Sequence, residues 1–311
     1  MGALVSISTA IEPQDIKRNL STKFIKYLDA SKKTVETYAR ALRQLFNFFE
    51  AEGITQPDRS DILAYKRKLE EAKRSAYTIN LYITVVRLFF QWLAQEGIYP
   101  DIAAHVKGER TTHDHKKDVF TAEQEREIAE TIDTDTEKGK RDFALFVLLA
   151  SCGLRTIEAS RANIEDIHTS GGRVVMDIQR KGHTGKDKTI NLPPHVDKAI
   201  RAYLKDRGTA EPSAPLFTST SNNSRGQRMT TRSISATIKA IFTAAGYNSN
   251  RLTAHSLRHT AVTLAILGGE SVQSAQQFAG HESISTTMIY YHEIEEARNT
   301  CAQTVAAAIW G

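Results

Sequence analysis

His255-Ser256-Leu257-Arg258-His259-Thr260, then Gly280-His281, then Ile289-Tyr290-Tyr291-His292 are the segments on which the reading of this chain turns. They set histidines, an arginine and a phenol in a short ordered series. Arg258 follows His255 by three residues, so on a helix the two side chains share a face. His259 is read as a supporting residue one position off that face. Gly280 marks a turn between helices, and His281 follows it. Far upstream, Gly153-Leu154-Arg155-Thr156-Ile157-Glu158 adds a second arginine just past an apolar run, with Glu158 placed to contact it. Between these segments, Arg180-Lys181-Gly182 leads on to Lys186 and Lys188 in what reads as a lysine-bearing hairpin.

Two fixed cations, proton-transfer groups and a phenol are the parts needed to attack a phosphodiester without a metal ion. The transition state gathers negative charge on the non-bridging oxygens, and preorganised donors around them are the largest available help. The planar arginine fork is always charged and binds two oxygens at once. An imidazole titrates near neutrality and either donates to phosphate or takes the phenol proton. A phenol with an ordinary pKa of about 10 needs nearby cations or a base before it attacks. Each residue alone has a plainer account: an arginine ending a helix, a histidine in a turn, a solvated lysine loop. Order and spacing are what argue for a site.

The bulk numbers bound the answer without giving it. A chain of 311 residues is long enough for two domains with separate cores. Its 41% hydrophobic and 25% charged residues are ordinary globular composition. Lys and Arg number 41 against 36 Asp and Glu, and a net charge of +5 is too small to name nucleic acid as the partner. Residues 1–118 hold 19 basic and 15 acidic residues and residues 119–311 hold 22 and 21, so the basic excess is concentrated at the amino-terminal end. Cys152 and Cys301 form neither a metal spacing nor a disulfide framework, which fits a reduced, cytoplasmic setting. The start lacks a signal peptide, and the longest apolar run, Phe143 to Leu154, is interrupted by Ser151 and too short to cross a bilayer. His113, Asp114 and His115 lie in a polar stretch with no further ligand at a useful spacing, so no metal site and no cofactor are expected.

Helical periodicity dominates residues 16–98. Ser31 reads as the cap of a helix whose apolar residues, Tyr38, Leu42, Leu45, Phe46 and Phe49, make one stripe ending at Gly53. Pro57-Asp58 opens another segment, and Ser75 caps a further one ending at Gly97. Exposed faces carry Lys32, Lys33, Arg40, Arg43, Lys73, Arg74 and Arg87, either a solvated face or a surface that contacts phosphates. Residues 107–118 read as an interdomain linker. Thr121 and Gln124 then form a capping-box pattern, and the apolar run around Phe143 to Ala150 reads as a buried helix. Alternation at Val174, Met176 and Ile178, and again at Ile190 and Leu192, predicts a strand pair. Helices follow around 195–206, 231–245, 256–267 and 271–279. One last amphipathic segment carries Ile294, Ala297, Cys301, Val305 and Ile309.

The ordered series resembles the catalytic signature of the tyrosine recombinases, the phage integrase and Xer family. The carboxy-terminal part, about 119–295, follows the family pattern throughout, and Thr34-Val35-Glu36-Thr37-Tyr38 resembles the start of the family's helical core-binding domain. The resemblance implies a mainly α fold with a small antiparallel β-sheet. Its parts are an extension at 1–15, a core-binding domain at 16–106, the linker at 107–118, a mixed α+β catalytic domain at 119–292 and a segment at 293–311. That last segment often docks on a neighbouring protomer in the family, though its apolar stripe fits docking in cis equally.

By the same resemblance, Arg155, Lys181, His255, Arg258 and His281 surround the phosphate and Tyr290 is the nucleophile. The family places its tyrosine nine residues after the histidine that follows the glycine, which selects Tyr290 over Tyr291. A hairpin lysine protonates the leaving oxygen. Lys181 fits that place, with Arg180 where a glycine is usual and a longer loop than the common form, so Lys186 stays open beside it. The implied activity is site-specific strand exchange through a 3′-phosphotyrosine and a Holliday junction, without metal or ATP. The implied partners are duplex DNA with inverted-repeat core sites, a homotetramer assembled on DNA from a monomer or weak oligomer, and accessory DNA-bending or directionality proteins, with no membrane. Two other readings fit many of the same residues: a type IB topoisomerase, and a DNA-binding regulator that has lost catalysis.

Overall fold

Ser31, Asp58 and Ser75 each offer a side-chain oxygen to a backbone N–H that the first turn of a helix leaves without a partner. In the computed structural model they cap three long helices in this way. The structure describes residues 20–110, 119–208, 210–297 and 299–311. The extension at 1–15 and residues 111–118 of the linker lie outside the described residues. The chain divides into two compact units, Met1–His113 and Asp114–Gly311.

The first unit contains α1 (Ser21–Tyr27), α2 (Lys32–Ala51), α3 (Arg59–Glu71) and α4 (Ala76–Gln95). Apolar residues at spacings of three and four turn inward from each. Leu42, Leu45, Ile62, Ile83, Val86 and Phe89 are at most 1% exposed. Phe24, Phe46, Phe90 and Trp92 pack around Phe89 in edge-on and tilted pairs, the geometry that aromatic quadrupoles favour. At the end of this unit Glu109 is tied down: its N–H donates to Asn80 Oδ1 at 2.6 Å, Asn80 Nδ2 donates to its carbonyl, and its carboxylate pairs with Lys66.

The second unit begins at the Thr121–Gln124 capping box of α5 (Ala122–Glu130) and runs through α6 (Glu137–Cys152) and α7 (Thr156–Arg161). A three-stranded antiparallel sheet follows, with β1 (Ile167–Ser170), β2 (Arg173–Ile178) and β3 (Lys188–Asn191) in that order. The alternation foretold β2 and β3. It did not foretell β1, whose short Ile-His-Thr-Ser run is exposed after its first residue and carries no apolar period. Then come α8 (Pro194–Arg207), α9 (Thr231–Ala244), α10 (Ala254–Leu267), α11 (Val272–Ala279), α12 (Ile284–Ala297) and α13 (Cys301–Trp310). The single amphipathic segment expected at the end is thus two helices. Ile294 on α12 is buried, whereas Cys301, Val305 and Ile309 on α13 are exposed.

Helix α6 is the axis of this unit. Leu145, Leu148 and Leu149 are fully buried, and the helix packs along α8 and α10. Thr260 on α10 accepts from the Phe120 N–H, locking the start of the unit onto that helix. Cys152 closes α6 inside the core, where burial pushes its thiol up to about 12. A smaller cluster of Val262, Ile266, Ala275, Ala279, Tyr290 and Ile294 joins α10, α11 and α12.

Glu125 on α5 has one carboxylate oxygen buried without a hydrogen-bond partner, and burial pushes its carboxyl up to about 8. The folded chain therefore holds this proton more tightly than the unfolded chain does. The stability it contributes is present at acid pH and lost as pH rises from about 4.5 through about 8. Glu125→Gln is expected to melt like the parent at pH 5 and about 4–8 °C higher at pH 8.5. Equal melting temperatures at pH 8.5 would show that the carboxylate is well solvated.

Candidate active site

Helix α6 ends at Gly153, which adopts the left-handed conformation (φ 59°) that a Cβ disfavours. This turn delivers Leu154 into the core and Arg155 to the N-cap of α7. Glu158, only 2% exposed, accepts from the Arg155 backbone N–H at 2.8 Å and from its Nη1 at 3.1 Å. One carboxylate thus caps the helix and orients the guanidinium. Arg155 Nη2 reaches the Gly280 carbonyl at 3.4 Å, and about a quarter of the side chain stays exposed.

Arg258 projects from α10 toward the same place and is 2% exposed. It donates to the Gly153 carbonyl at 2.7 Å and to the Ala279 carbonyl. Burial, and Arg155 beside it, lower its pKa to about 10, while Glu158 and Tyr290 act in the opposite direction. It remains a cation at neutral pH. Lys188 approaches from β3 and donates to the carbonyls of Gln277 at 2.5 Å and Phe278 at 3.0 Å. Burial lowers its pKa; Arg258, Arg180 and Arg155 lower it further, against the pull of Glu158.

Tyr290 lies on α12 and is 3% exposed. Its hydroxyl is hydrogen-bonded to His259 Nδ1. His259 in turn packs edge-on against His255, ring centroids 4.5 Å apart, and His255 is exposed. The His281 ring stacks over Tyr290 at 6.3 Å, held by a 2.9 Å hydrogen bond between its Nδ1 and Thr287 Oγ1. Thr287 is fully buried on the Tyr290 helix. Tyr291, by contrast, is half-buried with its ring against His292.

Arg155, Glu158, Arg258, His255, His259, His281 and Tyr290 are thus drawn into one neighbourhood. The two hairpin lysines singled out from the sequence stand apart from it. Lys181 is an exposed loop residue. Lys186 is bound to Asp166 and to the Arg161 carbonyl. The lysine against the arginines is Lys188, neither of the two expected. Strand register carried the missing signal: Lys188 pairs with Ile178, a residue 2% exposed, so the two side chains leave the same face of the sheet. His259, expected one position off the His255–Arg258 face, is the residue that meets the Tyr290 hydroxyl. It lies four residues after His255, a spacing that shares a helix face as well as three does.

On the first unit Lys32, Lys33, Arg40, Arg43, Lys73, Arg74 and Arg87 are all exposed. Among the described residues none of the seven is paired with a carboxylate, whereas Lys66 and Lys68 are. Among the described residues there is no cluster of side chains suited to a metal ion, and no helix is long and apolar enough to cross a membrane.

The phage integrase family model matches residues 118–297, and the phage integrase N-terminal SAM-like domain matches residues 22–97. The tyrosine recombinase XerD of Listeria monocytogenes is 28% identical over 271 residues, covering 84% of this chain and 88% of that protein. The tyrosine recombinase XerC of Pelobacter propionicus is 30% identical over 273 residues, covering 84% of this chain and 85% of that one. The crystal structure of the XerH site-specific recombinase bound to a palindromic difH substrate superposes with a TM-score of 0.72 at 20% identity, over 94% of this chain and 84% of that chain. At that identity the likeness speaks to the fold.

Proposed function

The chain belongs to the phage integrase family of tyrosine recombinases, and we propose that it cuts and rejoins DNA strands at specific sites through a 3′-phosphotyrosine intermediate. The observation that most supports this is the convergence of Arg155, Arg258, His281 and the Tyr290–His259 pair around the end of α11. Arg155 and His281 offer donors to the non-bridging oxygens, where charge develops. The Tyr290 oxygen attacks phosphorus, the bond from phosphorus to the 5′ oxygen breaks, and that oxygen takes a proton to leave as a hydroxyl. The phenol proton passes to His259, the imidazole already bonded to it. Rejoining is the reverse step with a 5′ hydroxyl from another strand. The bond energy is kept in the phosphotyrosine, so no nucleotide is consumed.

In the free chain Tyr290 is buried and Arg258 is held by carbonyls. The proposed reaction therefore requires α12 to shift when DNA binds. We assign duplex binding to the seven exposed cations of the first unit together with the catalytic unit, and exchange to a tetramer on two inverted-repeat sites passing through a Holliday junction. Lys181 is proposed as the general acid, reaching the leaving oxygen from its exposed loop, with Lys186 as the other hairpin lysine to compare.

The test is a covalent-adduct assay. A duplex recovered from a random pool by repeated binding to the protein is nicked near its centre, so that cleavage releases a short strand and traps the adduct. The parent chain is expected to form an adduct whose linked peptide carries Tyr290, and Tyr290→Phe is expected to form none while retaining DNA affinity. A linked peptide carrying Tyr291, or an adduct that persists in Tyr290→Phe, overturns the nucleophile. A selected duplex that is bound and never cleaved favours a DNA-binding regulator.

A further inference from the structure

The last turn of a helix leaves carbonyls without N–H partners and carries the negative end of the helix dipole. At the end of α11 four successive carbonyls each receive a side-chain cation. Lys188 takes Gln277 and Phe278, Arg258 takes Ala279, and Arg155 takes Gly280. The next residue is His281. The cations come from three separate places in the fold: a strand, a helix and a helix cap.

From this arrangement we infer that Lys188 is a positioning residue for strand cleavage, holding the α11 terminus so that the Gly280-His281 turn meets Arg155 and Arg258 in one geometry. This rests on the cleavage reading above and goes beyond it, because Lys188 is neither of the hairpin lysines expected to donate a proton. Three features support the role. Pairing with Ile178 in the sheet fixes the base of the side chain on a rigid element. Both contacts are to backbone, so they constrain the path of the chain into His281 rather than one rotamer. Gly280 is left-handed (φ 61°), and a Cβ there would stand 3.8 Å from Lys188 Nζ, so strand and turn meet at close range. An ammonium that donates to two carbonyls is also poorly placed to lend a proton to a leaving oxygen.

The experiment compares Lys188→Met and Lys188→Arg with the parent chain on the nicked duplex, at saturating protein. Displacing reacting groups by an ångström costs up to about a hundredfold in rate, so Lys188→Met is expected to slow adduct formation about 10- to 100-fold with DNA affinity unchanged. Lys188→Arg, which still offers donors to both carbonyls, is expected within about threefold of the parent. The same duplex is then made with sulfur in place of the leaving 5′ oxygen. A thiolate leaves without a proton, so this substrate rescues loss of an acid and does not rescue loss of position. The Lys188→Met defect is expected to persist on it. Disappearance of the defect would make Lys188 the general acid and overturn the inference, as would a parent-like rate in Lys188→Met. A readout independent of cleavage is the ring signal of His281 in the free protein by nuclear magnetic resonance. It is expected to move in Lys188→Met and to return in Lys188→Arg, and an unmoved signal refutes the positioning role. A parent chain that forms no adduct refutes the cleavage reading, whereas a parent adduct with no effect at Lys188 refutes this inference alone.

Discussion

Arg258→Ala is expected to abolish adduct formation and to lower the stability of the folded chain by about 3–5 kcal/mol. The two losses have different origins. Arg258 is 2% exposed and donates to the carbonyls of Gly153 and Ala279, at the ends of α6 and α11. Truncation leaves both carbonyls without this donor in a place water does not easily reach, and a buried group that loses its partner costs about 1–3 kcal/mol. The cation also counters the buried carboxylate of Glu158, whose field opposes the lowering of its pKa. Chemically, the variant removes one of the two fixed charges assigned to the phosphate in the proposed reaction. Arg258→Lys separates these effects: it keeps a cation and one donor, so about half of the lost stability should return while cleavage stays far below the parent. Denaturant unfolding of all three proteins, beside the adduct assay, reads both quantities. A parent-like unfolding midpoint in Arg258→Ala would show that the two carbonyls are otherwise satisfied. A parent-like adduct yield would remove Arg258 from the reaction.

What was legible in the sequence follows from what side-chain patterns encode. The helices of the first unit announced themselves because Ser31, Asp58 and Ser75 cap runs whose apolar residues recur at helical spacing. Strand β2 showed through Val174, Met176 and Ile178, although Val175 between them is buried as well, because the sheet is covered on part of its second face. Strand β1 could not show: its pairing with β2 is made by backbone groups, and its side chains are largely exposed. The residues of the candidate site were legible as types in order, yet their partners were not. Gly153, Gln277, Phe278, Ala279 and Gly280 contribute backbone carbonyls, which leave no mark in the pattern of side-chain types. Lys188 was obscured for a related reason. The long Gly182–Gly185 loop shifts attention to Lys181 and Lys186, and only the register of β3 against β2 reveals which lysine faces inward.

Gly153→Ala carries this dependence on backbone to a single methyl group. Gly153 is the left-handed residue that ends α6, and its carbonyl accepts from Arg258. A left-handed conformation costs a residue with a Cβ about 1–2 kcal/mol. The added carbon would also lie 2.9 Å from Cε1 of Phe278 and 3.5 Å from the Ala261 methyl. Phe278 is a ring packed against the α10–α12 cluster, and its own carbonyl is held by Lys188, so it has little room to retreat. Overpacking of this kind costs a further 1–3 kcal/mol or so. The total loss expected is about 2–5 kcal/mol. Relief of the clash moves either the Gly153 carbonyl away from Arg258 or the Phe278 turn away from Lys188, and both movements disturb the approach to His281. Adduct formation should therefore fall about 10-fold or more even where the variant is fully folded, while affinity for duplex DNA stays near the parent value. A variant that unfolds with the parent would mean the turn accepts a Cβ by a local shift. One that is destabilised and still cleaves at the parent rate would show that the α6 terminus supports the fold without setting the geometry of Arg258.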